Sequence, residues 1–246
     1  MKEPASNTHA TRTVIELRKK ILGGDLPGGT RLFEVPLAEE LEISRTPLRD
    51  AMSRLAEEGL LERAKSGGFV VRKFTFADVI DSIELRGVME GTAARLAAER
   101  GARPEALARM EEIVTELDTC FGDMPGDVDF EAYSGLNAQF HQELAALSGS
   151  DMVRREVERA SRLPFASPSA FLPDKSDIAA FRRSLTVAQE QHKAIVQAIK
   201  AREGTRAECV AREHARQARR NLDYMLHEDR SLIDRMPGIA LVVAQA

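Results

Sequence analysis

At 246 residues, with 43% hydrophobic and 30% charged side chains, the chain has the composition of a soluble globular protein and the length of two domains. It contains no Trp and only two Tyr, which excludes the rows of stacking aromatics that single-stranded nucleic acid uses. No apolar run reaches the roughly 18 residues of a membrane span, and the opening MKEPASNTHATR lacks a signal-peptide core. Cys120 and Cys209 stand far apart and in no CxxC spacing, so they read as reduced thiols of a cytoplasmic protein. The net charge of −4 is unevenly spread: residues 1–73 hold 13 Lys and Arg against 11 Asp and Glu, a net of +2, and the remainder is −6. The first part is the one suited to an anionic partner.

In chain order, Val14, Leu17, Ile21 and Leu22 form one stripe and predict a helix over 11–22, which GGDLPGGT (23–30) ends. A short helix follows in VPLAEELEI, with Leu37, Ala38 and Leu41 inward. SRTPLRDAMSRLAEEGL predicts a third, with Leu48, Ala51, Met52 and Leu55 at i, i+3, i+4 and i+7. Either Ser44 or Thr46 is placed to cap it, and Pro47 is harmless in the first turn. LLERAKSGGFVVRK then reads as two short strands around a KSGG turn. Residues 74–77 are the expected linker. From Asp78 the pattern is helical, with helices at about 78–99, 104–121, 130–147, 151–161, 177–202 and 205–227, and a tail from 231 to 246. The expected architecture is mainly α: an N-terminal winged helix-turn-helix over 1–73, then an all-helical antiparallel bundle over 78–230.

The first unit has the chemistry of a duplex-DNA reader. Arg45 and Arg49 lie one turn apart beside the apolar stripe. An arginine in the major groove binds guanine O6 and N7 with two hydrogen bonds, and Ser44 or Thr46 can hold phosphate oxygens. The helix start offers free N–H groups to phosphate. Lys65, Gly67 and Gly68 occupy the hairpin, where Lys65 supplies charge and the glycines let backbone approach a groove. The bland alternative pairs the arginines with Glu39, Glu42 or Asp50. LAEELEISRTPLRDAMSRLAEEGLLER and GGFVV, however, resemble the DNA-binding domain of the GntR family of bacterial transcription regulators. That resemblance implies that Arg45, Thr46 and Arg49 are recognition-helix contacts and that Gly67 or Gly68 lies at the wing tip. Val35 stands where some members carry a base-reading arginine, so their operator sequences do not transfer.

In the second unit, Asn137 and His141 share a helix face in LNAQFHQEL. His192 precedes Ile195, Val196 and Ile199 and points inward; His214 lies with Val210, Ala218 and Leu222. Three imidazoles with an oxygen-bearing partner form a coordination set for a divalent first-row metal, Zn or Ni. The alternative is three hydrogen-bonded core histidines. These segments resemble the FCD ligand-binding domain of the FadR-type branch of the same family, which implies a metal site of Asn137, His141, His192 and His214. Many relatives have Asp at the Asn137 position, so this set has one negative charge fewer. The resemblance also assigns Arg86 to the effector, forking onto a small carboxylate. The competing role for Arg86 is a surface pair with Glu90 at i+4. The carboxylate candidates are hydroxy or sugar acids, dicarboxylates and aromatic acids, the last drawn by Phe140 and Phe165.

Three functions compete: a ligand-responsive repressor that binds an inverted-repeat operator as a homodimer, a metal-dependent hydrolase, and a helical scaffold. Against the hydrolase, HExxH is missing and no carboxylate stands beside the histidines as an obvious general base. The expectation is a regulator, not an enzyme, with double-stranded DNA, a small carboxylate and a second copy of itself as partners.

Overall fold

The computed structural model describes residues 5–124, 126–163, 165–168, 170, 178–228, 232–233 and 236–243. It resolves into two compact units. The first gathers the chain through Val79, together with residues near 162 and the tail from Ile233; the second runs from Ile80 to Ser161 and from Phe165 to Leu232.

The first unit is built from α1 (Ala5–Leu22), β1 (Arg31–Leu32), α2 (Glu34–Glu40), α3 (Arg45–Glu57), β2 (Leu61–Arg63) and β3 (Phe69–Val71). Leu17, Ile21, Leu48, Ala51, Met52 and Leu55 are fully buried, so the stripes that predict α1 and α3 are the faces that pack. Ser44 occupies the N-cap position of α3 in extended backbone, without a side-chain cap bond, and Pro47 lies in the first turn. The sheet has three antiparallel strands in the order β1-β3-β2. The sequence reading contains the hairpin of β2 and β3 but not β1, whose two residues are too few to show alternation.

The tail belongs to this unit. Gly238 N–H donates to Leu22 O at 2.7 Å, Phe74 N–H to Leu241 O at 2.8 Å, and Val243 N–H to Phe74 O at 2.8 Å. Phe74 and Val242 form a parallel bridge, and Leu241 is completely buried in a short 3-10 turn. Leu241→Ala is therefore expected to cost about 2–5 kcal/mol, as large-to-small core changes do. Denaturant unfolding of the full chain followed by circular dichroism measures it; a cost below about 0.5 kcal/mol would mean that the tail does not seal this core.

The second unit carries α4 (Phe76–Arg100), whose first turn precedes the division, then α5 (Pro104–Thr119), α6 (Phe130–Leu147), α7 (Asp151–Ser161), α8 (Ile178–Lys200) and α9 (Gly204–His227). Helix α4 starts within the segment that the sequence reads as linker, because Thr75 and Asp78 cap it reciprocally. Thr75 N–H and Oγ1–H donate to Asp78 Oδ2 at 2.7 Å each, and Asp78 N–H donates back to Thr75 Oγ1 at 3.2 Å. These bonds hold the Asp78 carboxyl below its ordinary pKa. Met110, Ile113, Leu117, Phe140, Leu185 and Ile195 fill the core that α5, α6 and α8 share.

Two glycines on α4 fix how closely it meets α9. A Cβ at Gly87 would lie 2.9 Å from the Ala215 Cβ, and one at Gly91 would lie 2.7 Å from Arg212 Cγ. Only hydrogen at these positions permits that approach. It brings Arg86 and Glu90, each the residue before one of these glycines, against the helix that carries His214.

Candidate functional site

On the first unit, Arg45 and Arg49 project outward from the first turn and a half of α3, with side chains 62% and 55% exposed. The residue between them is not one of the acids expected from sequence. Glu34, at the start of α2, places Oε2 3.8 Å from Arg45 Nη2 and 3.3 Å from Arg49 Nε. The arginines thus have a protein carboxylate near them, at Glu34 in place of Glu39, Glu42 or Asp50. Thr46 and Lys65 are exposed, as is Val35. The wing glycines differ in surroundings. Gly67 (φ 88°) has open space where a Cβ would go, whereas at Gly68 (φ 77°) a Cβ would lie 2.7 Å from Leu32 O. Gly68 is demanded by the sheet itself, because β1 presses on it.

In the second unit, α6 supplies His141, α8 His192 and α9 His214, all buried. Their reactive nitrogens converge: His192 Nε2 lies 3.1 Å from His214 Nε2, which lies 3.3 Å from His141 Nε2. Two nitrogens on one tetrahedral zinc at about 2.05 Å each stand about 3.3 Å apart. The spacing is that of ligands round one small cation. These three are the cluster of metal-ligating type found among the described residues. Asn137, one turn before His141 on α6, is buried and lines a cavity together with His214 and Arg86.

The groups behind the imidazoles fix their protons. Gln189 donates through Nε2 to Val114 O at 2.8 Å and to Asp118 Oδ1 at 3.1 Å, so its oxygen faces His192 Nδ1 at 3.1 Å. Glu90 Oε1 meets His141 Nδ1 at 2.8 Å. Both outer nitrogens face acceptors and carry the proton, so Nε2 is the atom that each ring turns inward. His214 Nε2 carries at most one proton and cannot donate to both of them. A cation at the convergence satisfies all three nitrogens. Burial, then the neighbouring His141, lowers the His192 pKa well below its usual value. Burial, then His192 and His141, does the same for His214. Both are held neutral, the form that coordinates metal.

Glu90 is the functional residue that sequence reasoning misplaces. It is 1% exposed and Arg86 is 2% exposed, so their contact is a core ion pair and not the surface pair considered above. Burial pushes the Glu90 carboxyl up, but Arg86 and then His141 outweigh it and bring the pKa down to about 2. A carboxylate therefore does stand beside the histidines, contrary to expectation. It faces the outer nitrogen of His141 and is paired to a guanidinium, which makes it a poor general base. The readable signal was the run RGVMEG: glycines directly after Arg86 and Glu90 mark the face on which another helix presses.

Arg86 is incompletely satisfied. Its Nη1 reaches the two Glu90 oxygens at 3.4 and 3.3 Å and its Nη2 reaches Ala215 O at 3.4 Å, all longer than the 2.7–2.9 Å of strong charge-assisted bonds. Arg86 Nε and His214 Nδ1 are the two buried side-chain polar atoms without a partner among the described residues. Both residues line the same cavity, of about 30 Å³, with Tyr133, Ser184 and Asn221 among its other walls. Neither Phe140 nor Phe165 is among the described walls. Phe140 is fully buried, with its ring centroid 4.2 Å from that of His192.

Comparison with known proteins identifies the family. The model of the bacterial regulatory proteins of the gntR family matches residues 10–71, and that of the FCD domain matches residues 81–217. The Nta operon transcriptional regulator of Aminobacter aminovorans is 34% identical over 139 residues, which is 56% of this chain and 63% of that protein. The chain thus spans just under two thirds of that relative. An HTH-type transcriptional regulator in an unstable DNA locus of Streptomyces ambofaciens, itself uncharacterised, is 30% identical over 190 residues, 72% of this chain and 77% of its own length. Among solved structures, McbR/YncC of E. coli superposes with a TM-score of 0.61 at 21% identity, covering 89% of this chain and 99% of that one. This last likeness concerns the fold. Among the described residues no helix is long and apolar enough to cross a membrane.

Proposed function

Because this chain belongs to the GntR family of bacterial regulatory proteins and carries an FCD domain, we propose that it is a ligand-responsive transcriptional repressor. In this reading it binds an inverted-repeat operator as a homodimer, and a small carboxylate held in the helical domain modulates its DNA affinity. The observation that carries the reading is the pair of unpartnered buried nitrogens, Arg86 Nε and His214 Nδ1, on residues that line one cavity beside three converging imidazoles. A buried donor without an acceptor costs free energy. An anion rich in acceptors that enters this cavity removes that cost.

His141, His192 and His214, with Asn137, would hold a divalent transition metal, Zn or Ni; when bound it supplies positive charge and an open coordination position for an oxygen. Arg86 then orients the acid through its planar fork. Glu90 and Gln189 keep His141 and His192 in the ligating tautomer. On the first unit, Arg45 and Arg49 read base edges, Ser44 and Thr46 hold phosphates, and Lys65 with Gly67 and Gly68 brings the wing to the backbone. One recognition helix reads too few base pairs to select a site, which supports a two-fold pair.

Thermal-shift measurements test the binding. Protein stripped with chelator should rise in Tm with Zn²⁺ or Ni²⁺, and rise again when a carboxylate is added to the metal-loaded form. An unchanged Tm with every metal would refute the metal site, and with it the histidines would be core residues only.

A further inference from the structure

The placement of Glu90 between the effector arginine and a metal-ligating histidine says more than that it steadies them. We propose that Glu90 makes the acid response conditional on metal: it is a resident anion that occupies Arg86 until bound metal raises the charge of the site. The inference rests on the metal-and-acid reading above.

Among the groups described at this site, Glu90 is the counter-ion of Arg86. Without metal that pair is already matched. A carboxylate that entered the site would bring a second negative charge beside Glu90 into a core where an uncompensated charge is costly. A divalent metal adds two positive charges to the site, and an anion is then demanded. The geometry fits a counter-ion that holds Arg86 without saturating it. Glu90 gives its short bond, 2.8 Å, to His141 Nδ1 and only 3.3 and 3.4 Å contacts to Arg86 Nη1, which leaves Nε free. One carboxylate therefore serves both partners, supporting His141 as a ligand and screening Arg86 from a competing acid. Asn137 adds to the effect. Where an aspartate would bring a negative charge among the ligands, this chain has a neutral amide, so Glu90 is the anion that sets the balance.

The test uses the full chain, with Zn²⁺ as metal and acetate, malate and citrate as anion probes, read by calorimetry. Wild-type protein stripped of metal should bind none of the three measurably, and zinc-loaded protein should bind at least one. Glu90→Gln keeps size and hydrogen-bonding reach but removes the charge. It should lose about 10–100-fold in zinc affinity, as loss of the partner behind a ligating histidine does, while its metal-free form gains measurable acid binding. Glu90→Asp, which restores the charge, should again exclude acid from the metal-free protein. A purely structural role would lower zinc affinity in Glu90→Gln without creating metal-free acid binding, and that result overturns the proposal. Equal acid affinity of wild type with and without zinc overturns it as well. Failure of wild type to bind zinc would instead sink the reading on which it rests.

Discussion

Alanine at both Arg45 and Arg49 abolishes selective operator binding. Each arginine that contacts a base edge contributes about 1–3 kcal/mol of discrimination, so the single variants should each lose roughly 5- to 150-fold. The pair will not add strictly, because both guanidinium groups lie near the same Glu34 carboxylate. That carboxylate also gives the losses a direction. In free protein Glu34 lies 3.3 Å from Arg49, and an alanine at 49 leaves Glu34 facing the phosphates with one fewer cation to offset it. Both terms lower affinity. Fluorescence anisotropy on operator and scrambled duplexes at fixed salt separates them: base contacts change the ratio of the two affinities, while charge alone changes both together. Full affinity and selectivity in both single variants would show that α3 is not the reading helix.

His192→Ala removes metal binding and with it the response to acid, while DNA binding of the metal-free type persists. The expected loss of metal affinity exceeds the 10–100-fold that the outer partner of a ligand is worth, because one of the proposed ligands is itself deleted. Arg86→Ala is the complementary change. It leaves the three converging nitrogens in place and deletes the fork that meets the carboxylate, so metal binds and acid does not. It also leaves Glu90 buried without its cation, so Arg86→Gln serves as the companion variant that restores a donor to Glu90. Metal content by atomic absorption and acid binding by calorimetry distinguish the cases. An acid that binds both His192→Ala and Arg86→Ala with wild-type affinity would place the effector site elsewhere.

Much of this arrangement was legible in the sequence, and what was missed has definite physical causes. The stripes of α1 and α3 and the inward positions of His192 and His214 follow from the 3.6-residue period, which needs nothing beyond one helix. Glu90 could not be placed that way. Its burial depends on how close α9 comes, and that distance is set by Gly87 and Gly91, whose message is steric and not periodic. Strand β1 depends on pairing with β3, a relation between segments nearly forty residues apart. The tail is a similar case: PGIALVVAQA is apolar enough to be buried, but its partners, Leu22 and Phe74, lie in the other half of the chain. The Thr75–Asp78 cap, by contrast, is written locally in TFAD and could have moved the start of α4 to its observed place.

The most direct test of the account measures operator affinity of the intact protein in four states: stripped of metal, zinc-loaded, with acid, and with both. Linkage requires that the factor by which acid changes DNA affinity equal the factor by which operator changes acid affinity. The account predicts a change in DNA affinity on addition of acid to the zinc-loaded protein, no change on addition of acid to the stripped protein, and the same factor when the order of titration is reversed. An operator affinity indifferent to acid in every state, at acid concentrations that saturate the helical domain, would contradict it.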